Sequence, residues 1–170
     1  MCIRDRNGRS DFLAGNQLGW ALYAPLFAGA AGTPNTARAA FLDPAARIFW
    51  RDWDRIATDV VAVLRAEAGR NPYDRGLTDL IGELATRSEE FRVRWAAHDV
   101  KVHRGGLKRL HHAVVGDLDL TYEVLALAAD DGLMLIAYDA AAGSASADGL
   151  RLLASWAATE VPVPRPVRRG

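Results

Sequence analysis

Four histidines lie close together in the second half of the chain and are candidates for metal binding. They are His98, His103, His111 and His112. A metal site needs ligands on one face, usually with a carboxylate or thiolate among them. His103 and His111 can approach each other on adjacent strands, with Asp99 or Asp117 nearby. His111 and His112, however, point to opposite faces of a regular strand, so we expect no metal site and no cofactor.

A hydrolytic triad is the second chemistry that these residue types allow. His98 and Asp99, together with Ser88 or Ser10, would supply its side chains. The chain has no Gly-x-Ser-x-Gly sequence, the turn that exposes a nucleophilic serine in many hydrolases. Ser88 is predicted to lie in the middle of a helix, where its hydroxyl bonds back to the preceding turn. We therefore expect no catalytic residues and no enzymatic activity.

Charge is balanced over the chain, which has 21 Lys and Arg against 21 Asp and Glu. Without a global basic field, the chain is not expected to hold nucleic acid by itself. A local basic cluster consists of Lys101, His103, Arg104, Lys108, Arg109 and His111. It lacks interleaved aromatic residues, so a solubilising strand face is the preferred interpretation and an auxiliary DNA contact the alternative.

Aromatic residues point to a different function, the binding of an apolar ligand. Residues 20–27 and 41–53 are expected to form a helical lid over a sheet, with an apolar pocket beneath it. The predicted pocket residues are Trp20, Phe27, Phe41, Phe49, Phe91, Trp95, Tyr122 and Tyr138. A ligand carboxylate would need a donor at one end of the pocket, and His98, Arg109 and Tyr122 are the candidates.

The first half of the chain reads as helical after one short strand at residues 9–15. Asn16 is a predicted N-cap for a helix over 17–26. Helix starts are also predicted at the two pairs of a capping residue followed by proline, which are Thr33-Pro34 and Asp43-Pro44. Apolar residues at helical spacing predict a helix from Trp53 to about residue 69 and a single long helix from Leu77 to Trp95.

After His98 the apolar residues recur at every second position, which predicts strands. Strands are expected at 100–103, 107–115, 118–124 and 133–138, with turns at 104–106, Gly116 and 130–132. The strand at 133–138 is apolar on both faces, so we predict that it is central and buried. A last helix is expected from a cap at 144–148 through Trp156. The predicted fold is α+β, with an antiparallel sheet of about five strands and several helices packed on one face.

Specific short motifs resemble those of one protein family. They are Arg9-Ser10-Asp11-Phe12-Leu13-Ala14-Gly15-Asn16, Pro34-Asn35-Thr36-Ala37-Arg38, Phe41-Leu42-Asp43-Pro44-Ala45-Ala46-Arg47, Asp52-Trp53, Arg87-Ser88-Glu89-Glu90-Phe91 with Trp95, His98-Asp99-Val100 and His112-Ala113-Val114-Val115-Gly116. The chain thus resembles the C-terminal ligand-binding domain of MmyB-like transcription regulators. Ala113 stands where that family commonly has proline. The resemblance implies a PAS-like fold, an Xre-type helix-turn-helix domain preceding it, and a fatty-acid-like ligand.

Three segments are predicted along the chain. Residues 1–6 resemble a translated sequencing adapter, so we expect the native sequence to begin near Asn7, with the N-terminal helix-turn-helix missing. Residues 7–160 are the expected PAS-like ligand-binding domain, and residues 161–170 a disordered Pro- and Arg-rich tail. Cys2 is the only cysteine. The longest apolar runs are too short to span a bilayer, and we expect a cytoplasmic protein.

Three functional hypotheses remain open. The first is the sensor domain of a bacterial transcription regulator, a homodimer that binds a small apolar ligand and contacts DNA only through the missing domain. The second is a constitutive dimerisation or protein-interaction module without a ligand, in which Arg92 or Arg94 meets acidic residues of a partner. The third is a metal-assisted enzyme built on the histidine cluster.

Overall fold

A computed structural model describes residues 1–29, 32–97, 105–128 and 132–160. Its elements are β1 (Cys2–Arg6), β2 (Phe12–Gly15), α1 (Gln17–Phe27), α2 (Thr36–Leu42), α3 (Ala46–Phe49), α4 (Trp53–Arg70), α5 (Arg75–Arg87), α6 (Glu89–Ala96), β3 (Gly105–His112), β4 (Gly116–Ala126), β5 (Met134–Asp139) and α7 (Ala145–Glu160). The strands form one antiparallel sheet in the order β2-β1-β5-β4-β3. The predicted α+β class and the five-stranded sheet are confirmed.

The two faces of the sheet differ because side chains alternate along each strand. In β4, Leu118, Leu120 and Tyr122 are buried, whereas Asp119 and Thr121 between them are exposed. Each fully buried leucine contributes roughly 1.5–3 kcal/mol relative to an exposed one. The helices cover this apolar face, and the predicted period of two in β4 is confirmed.

Strand β5 is central, between β1 and β4, as the sequence predicted. Ile136 and Tyr138 are buried on its inner face, but Leu135 and Ala137 on the outer face are only partly buried. The prediction of burial on both faces is therefore wrong. No described helix covers the outer side of β5 because the helical segments pack on the other face of the sheet.

Helix starts confirm one predicted cap and correct another. The Asn16 side chain accepts the Gly19 amide at 2.8 Å and caps α1, as predicted. The predicted start at Thr33-Pro34 is wrong, since Asn35 is the cap of α2. The reason is that the Pro34 carbonyl accepts the Phe12 amide at 2.7 Å, which holds Pro34 in an extended pairing with the start of β2.

The single long helix predicted from Leu77 to Trp95 is in fact two helices, α5 and α6. Ser88 separates them with extended backbone angles (φ −130°, ψ 112°), and its hydroxyl accepts the Phe91 amide at 3.2 Å. Ser88 is therefore an N-cap and does not bond back to the preceding turn. Serine followed by Glu89 and Glu90 is a favourable helix start, because acidic residues in the first turn complement the helix dipole.

The predicted strand at 107–115 also ends earlier than expected. Strand β3 stops at His112, and Ala113–Val115 form the turn into β4, whose first residue, Gly116, has φ +75°. A left-handed conformation of this kind costs little only for glycine. Gly105 and Gly106, predicted to form a turn, lie within β3. The predicted strand at 100–103 lies outside the described residues.

Strand β1 was not predicted, because its residues were assigned to an adapter; that assignment remains a prediction. The strand lies between β2 and β5 and packs against α1. A Cβ atom on Gly19 would lie 2.3 Å from the Ile3 carbonyl oxygen. The backbone amide of Asn16 donates to the same oxygen at 3.1 Å. The absence of a side chain at Gly19 therefore permits the close contact between α1 and the backbone of β1.

Among the described helices, none has the length and apolar character needed to cross a membrane.

Asn35 connects two of the motifs singled out in the sequence. Its side-chain oxygen accepts the Ala37 and Arg38 amides at 2.9 Å each. Its side-chain nitrogen donates to the Arg9 carbonyl and to an Asp11 carboxylate oxygen, at 2.8 Å each. Asn35 is buried, and all of these groups belong to the β1–β2 connection or to α2. These motif residues therefore hold the start of β2 against α2.

His112 compensates for a proline inside helix α1. Pro25 has no amide hydrogen, so the Ala21 carbonyl four residues earlier loses its helical partner. The buried His112 ring supplies the bond, its Nε2 donating to the Ala21 oxygen at 3.1 Å. Its Nδ1 accepts the Val114 amide at 3.2 Å. Both bonds together require the neutral imidazole, and they tie α1 to the β3–β4 turn.

Burial lowers the pKa of His112 below its ordinary value of 6.5, and the neighbouring His111 acts in the same direction. Below pH 6.5 the unfolded chain therefore takes up a proton that the folded chain excludes, and stability falls as pH falls through this range. Above pH 6.5 both states are neutral at this site, and its contribution is constant. We expect urea unfolding between pH 8 and pH 5 to show this loss, and a His112→Gln variant to lose less stability over the same range. Equal pH dependence of the two proteins would contradict it.

Candidate ligand site

An interior cavity of about 40 Å³ lies between the buried face of the sheet and α4. The cavity is lined by Arg6, Thr36, Trp50, Ile56, Asp59, Val60, Val63, Lys108, Tyr122 and Ile136. Four of these are aliphatic, and the others carry nitrogen or oxygen atoms. The lining is therefore mixed, with an aliphatic part that suits an apolar chain and a polar part that can fix the orientation of a head group.

Helical and strand periodicity together place these side chains. Ile56, Asp59, Val60 and Val63 recur at spacings of three and four along α4, which gives them one face. On the sheet, Lys108 belongs to the same alternation as the buried Leu110 and His112 of β3, so it points inward. Tyr122 and Ile136 lie on the same face of the neighbouring strands.

A chain of polar contacts runs along the sheet side of the cavity. Lys108 Nζ lies 3.3 Å from the Tyr138 hydroxyl, which lies 2.7 Å from the Tyr23 hydroxyl. The same ammonium lies 4.3 Å from the centroid of the Tyr122 ring, a favourable cation–π distance. Burial raises the pKa of Tyr122, and the nearby Asp59 carboxylate raises it further. Tyr122 is therefore neutral and able to donate a hydrogen bond.

Trp50 brings a buried, unsatisfied polar group to the lining of the cavity. Its side chain is 2% exposed, and no described residue accepts a hydrogen bond from its indole Nε1. A buried donor without an acceptor costs about 1–3 kcal/mol. An acceptor atom on a bound ligand would remove that cost, so the site favours ligands with a carbonyl, hydroxyl or carboxylate oxygen.

The size of the cavity limits what it holds in this conformation. Ligand pockets usually have about 300–1,000 Å³, and one water takes about 30 Å³ of the liquid. The observed 40 Å³ therefore corresponds to a closed state. A long apolar ligand would have to separate α4 from the sheet.

The eight aromatic residues predicted to line one pocket fall into two groups. Tyr122 lines the interior cavity, and Tyr138 and Phe49 pack near it around Tyr23. Trp20 and Phe27 belong to the same group, since they pack against Phe12 at centroid distances of 4.3 and 5.4 Å and Phe12 contacts Tyr23. Phe41, Phe91 and Trp95 form a separate cluster with Trp53 between α2, α4 and α6. The structure does not bring all eight to one cavity.

Of the three head-group candidates, Tyr122 lines the interior cavity, whereas Arg109 is not among its lining residues. Arg109 follows Lys108 on β3 and therefore points to the outer face, where it is exposed and pairs with Asp52 at 2.8 Å. His98 lies outside the described residues.

The histidines of β3 point in opposite directions, as predicted. His111 is exposed and lies 2.6 Å from Asp117, whereas His112 is buried. No group of three metal-ligating side chains occurs in the part of the chain that the structure describes.

Sequence reasoning missed Lys108, Trp50 and Asp59 as lining residues. A signal for Lys108 was present, since it is one of two lysines in an Arg-rich chain and shares the strand alternation of Leu110. Trp50 gave no local signal. It faces the cavity because the short helix α3 ends at Phe49 and Trp50 then forms an antiparallel bridge with Leu110.

Comparison with known proteins identifies the family. The family model described as the MmyB-like transcription regulator ligand binding domain matches residues 6–153, which is most of the chain. No curated protein matches the sequence. The match covers every strand from β2 to β5 and the helices between them. The chain belongs to the family of MmyB-like transcription regulator ligand-binding domains.

Proposed function

We propose that the chain is the PAS-like sensor domain of a bacterial, cytoplasmic transcription regulator, and that a fatty-acid-like ligand binds in the interior cavity. The observation that carries this proposal is the buried, unsatisfied Nε1 of Trp50, a residue that lines the same cavity as Lys108. The ligand carboxylate accepts from Trp50 and pairs with the Lys108 ammonium, and its apolar chain lies along the valines and isoleucine of α4. Because Arg6 belongs to the predicted adapter segment, the proposal does not depend on it.

Binding acts on the regulator through a shift between two conformations. The closed cavity is the unliganded state, and a ligand that fits only when α4 moves away from the sheet favours the open state. A helix-turn-helix domain preceding this chain in the complete protein responds with altered DNA binding. Two forces favour the open state on binding: the burial of ligand methylene groups, worth about 0.8 kcal/mol each, and the charge-assisted bond to Lys108.

Replacing Lys108 by methionine tests the head-group contact. We expect the Lys108→Met variant to bind myristate about tenfold more weakly than the wild type, equivalent to about 1.4 kcal/mol, because a charge-assisted contact is lost while the apolar volume is kept. Isothermal titration calorimetry on the full chain measures this. Arg109→Gln is the matched control, since it removes a cation from the adjacent residue on the outer face.

Two results would contradict the proposal. Equal losses of affinity in Lys108→Met and Arg109→Gln would show that the effect is a general charge effect. Failure of the wild type to bind any fatty acid, together with native mass spectrometry that shows no co-purifying mass after expression in cells, would exclude the ligand class itself.

A ligand-independent homodimerisation module is the second candidate. It is favoured by the outer face of the sheet, where Leu107 and Leu125 are 47% and 50% exposed and Leu135 lies opposite Leu125. The earlier candidate contact at Arg94 is less suitable, because Arg94 pairs within the chain with Asp54 and Glu90. Light scattering of the wild type and of Leu125→Arg, with and without ligand, separates this function from the sensor.

A further inference from the structure

A second, larger cavity lies on the other side of α2. It has a volume of about 360 Å³ and is open to solvent. Leu26 and Phe27 from the end of α1 and Leu42 from α2 give it an apolar wall, and Arg38 and Arg87 contribute its positive charges. This volume is within the usual range for small-molecule sites, about 300–1,000 Å³. The cavity is therefore large enough for a small organic molecule.

The two arginines are held in place by one carboxylate. Arg38 donates from Nε to Glu83 Oε2 at 2.7 Å, and Arg87 donates from Nη1 to Glu83 Oε1 at 2.9 Å. The terminal nitrogens of Arg38 make no hydrogen bond to any described residue. A guanidinium oriented by a carboxylate through Nε presents its free nitrogens as a fork, the geometry that binds carboxylate and phosphate oxygens.

The apolar wall is also suited to a ring. Phe27 is half-buried: one side of the residue packs against Phe12 and Tyr23, at centroid distances of 5.4 and 5.9 Å, and the residue also lines the cavity. A flat apolar group can therefore stack on it while an anionic group reaches Arg38. Asp43 also lines the cavity, and one of its carboxylate oxygens accepts the Ala45 amide at 2.9 Å.

We propose that this cavity is a second binding site, which takes a small organic anion with a flat apolar body. Its carboxylate or phosphate group is bound by Arg38 and Arg87, and its body packs on Phe27 and Leu42. The site shares no lining residue with the interior cavity. The two are separated by α2, whose Thr36 lines the interior and whose Arg38 lines the second site. The inference does not depend on the proposed fatty-acid function.

Titration of the full chain with 4-phenylbutyrate, and separately with inorganic phosphate, tests the site. Calorimetry gives the affinity, and amide chemical-shift changes locate the probe. We expect 4-phenylbutyrate to bind, and Arg38→Gln to weaken it about tenfold, because a bidentate charge-assisted contact is lost. Arg38→Lys keeps the positive charge but not the paired guanidinium nitrogens, and we expect an intermediate loss of affinity.

The matched control is Arg92→Gln, which removes an exposed arginine on α6. Removal of the exposed Arg38–Glu83 pair costs little stability, so the variants remain folded.

Each result decides the proposal. A loss confined to Arg38 and Arg87 variants, with shifts at Leu26, Phe27 and Leu42, supports it, and binding of phosphate with the same pattern extends it to phosphorylated ligands. No binding of either probe below about 5 mM would overturn it. An equal loss in Arg92→Gln would show nonspecific charge attraction. A loss in Lys108→Met, with no loss in Arg38→Gln, would place the probe in the interior cavity and also overturn it.

Discussion

Replacing His112 by alanine is expected to lower the free energy of unfolding by about 3 kcal/mol, because a buried ring is lost and two backbone groups lose their partners. The two groups are the Ala21 carbonyl, which Pro25 has deprived of its helical bond, and the Val114 amide. Urea unfolding followed by far-UV circular dichroism at pH 8 measures the change.

A double-mutant cycle with Pro25→Ala tests the reason for this effect. Alanine at position 25 supplies the amide hydrogen that can bond to the Ala21 carbonyl within α1. In that background we expect His112→Ala to cost about 1–2 kcal/mol less than in the wild type, since only the Val114 amide is then left without a partner. Additive effects of the two substitutions would contradict the proposed relation between the proline and the histidine. His111→Ala, on the exposed side of the same strand, is the control and is expected to change stability by less than about 1 kcal/mol.

Replacing Asn35 by alanine is expected to cost about 3 kcal/mol. About 1 kcal/mol of this is the usual loss of an N-cap, here of the bonds to the Ala37 and Arg38 amides. The remainder arises because the Arg9 carbonyl and the Asp11 carboxylate lose a buried donor. Thermal and urea unfolding of the variant measure the total.

Two further substitutions separate the two roles of Asn35. Asn16→Ala removes the cap of α1 together with two exposed hydrogen bonds, from the Ile3 amide and to the Met1 carbonyl, and is expected to cost only about 1 kcal/mol. Asn35→Asp keeps a capping oxygen but replaces the donor that Asp11 receives by a second carboxylate, so it is expected to remain well below wild-type stability at neutral pH. If Asn35→Asp were as stable as the wild type, the contacts to the β1–β2 connection would have no energetic role.

Asn35 also shows what the family motifs encode. The segments around Arg9 and Asn35 are two of the motifs that carry the family resemblance, and their polar side chains bond to each other and to backbone. Asn35 and Arg38 also line the second cavity, and Thr36 lines the interior cavity. The motifs at Arg9 and Asn35 therefore preserve the fold, whereas the proposed head-group contacts of the interior cavity come from Lys108 and Trp50, which lie outside the motifs.

Local patterns were sufficient for much of the fold. The alternation of Leu118, Leu120 and Tyr122 predicted β4, and the side chain of Asn16 predicted the start of α1, because both signals act within a few residues. The failures have the same local origin. Ser88 was placed inside a helix because apolar spacing continues across it, although Ser88 followed by Glu89 and Glu90 is itself a signal of a helix start.

The α+β class, the family and the inward-facing period of the strands could be predicted before the structure was known, since they depend on spacing and residue type. Which side chains share a cavity depends on contacts between distant elements and could not be predicted. Trp50 and Lys108 are 58 positions apart and meet because Trp50 bridges to Leu110 at the edge of the sheet. The predicted aromatic residues fall into separate clusters for the same reason. Periodicity shows which face of an element is buried, but contacts between distant elements determine which residues that face packs against.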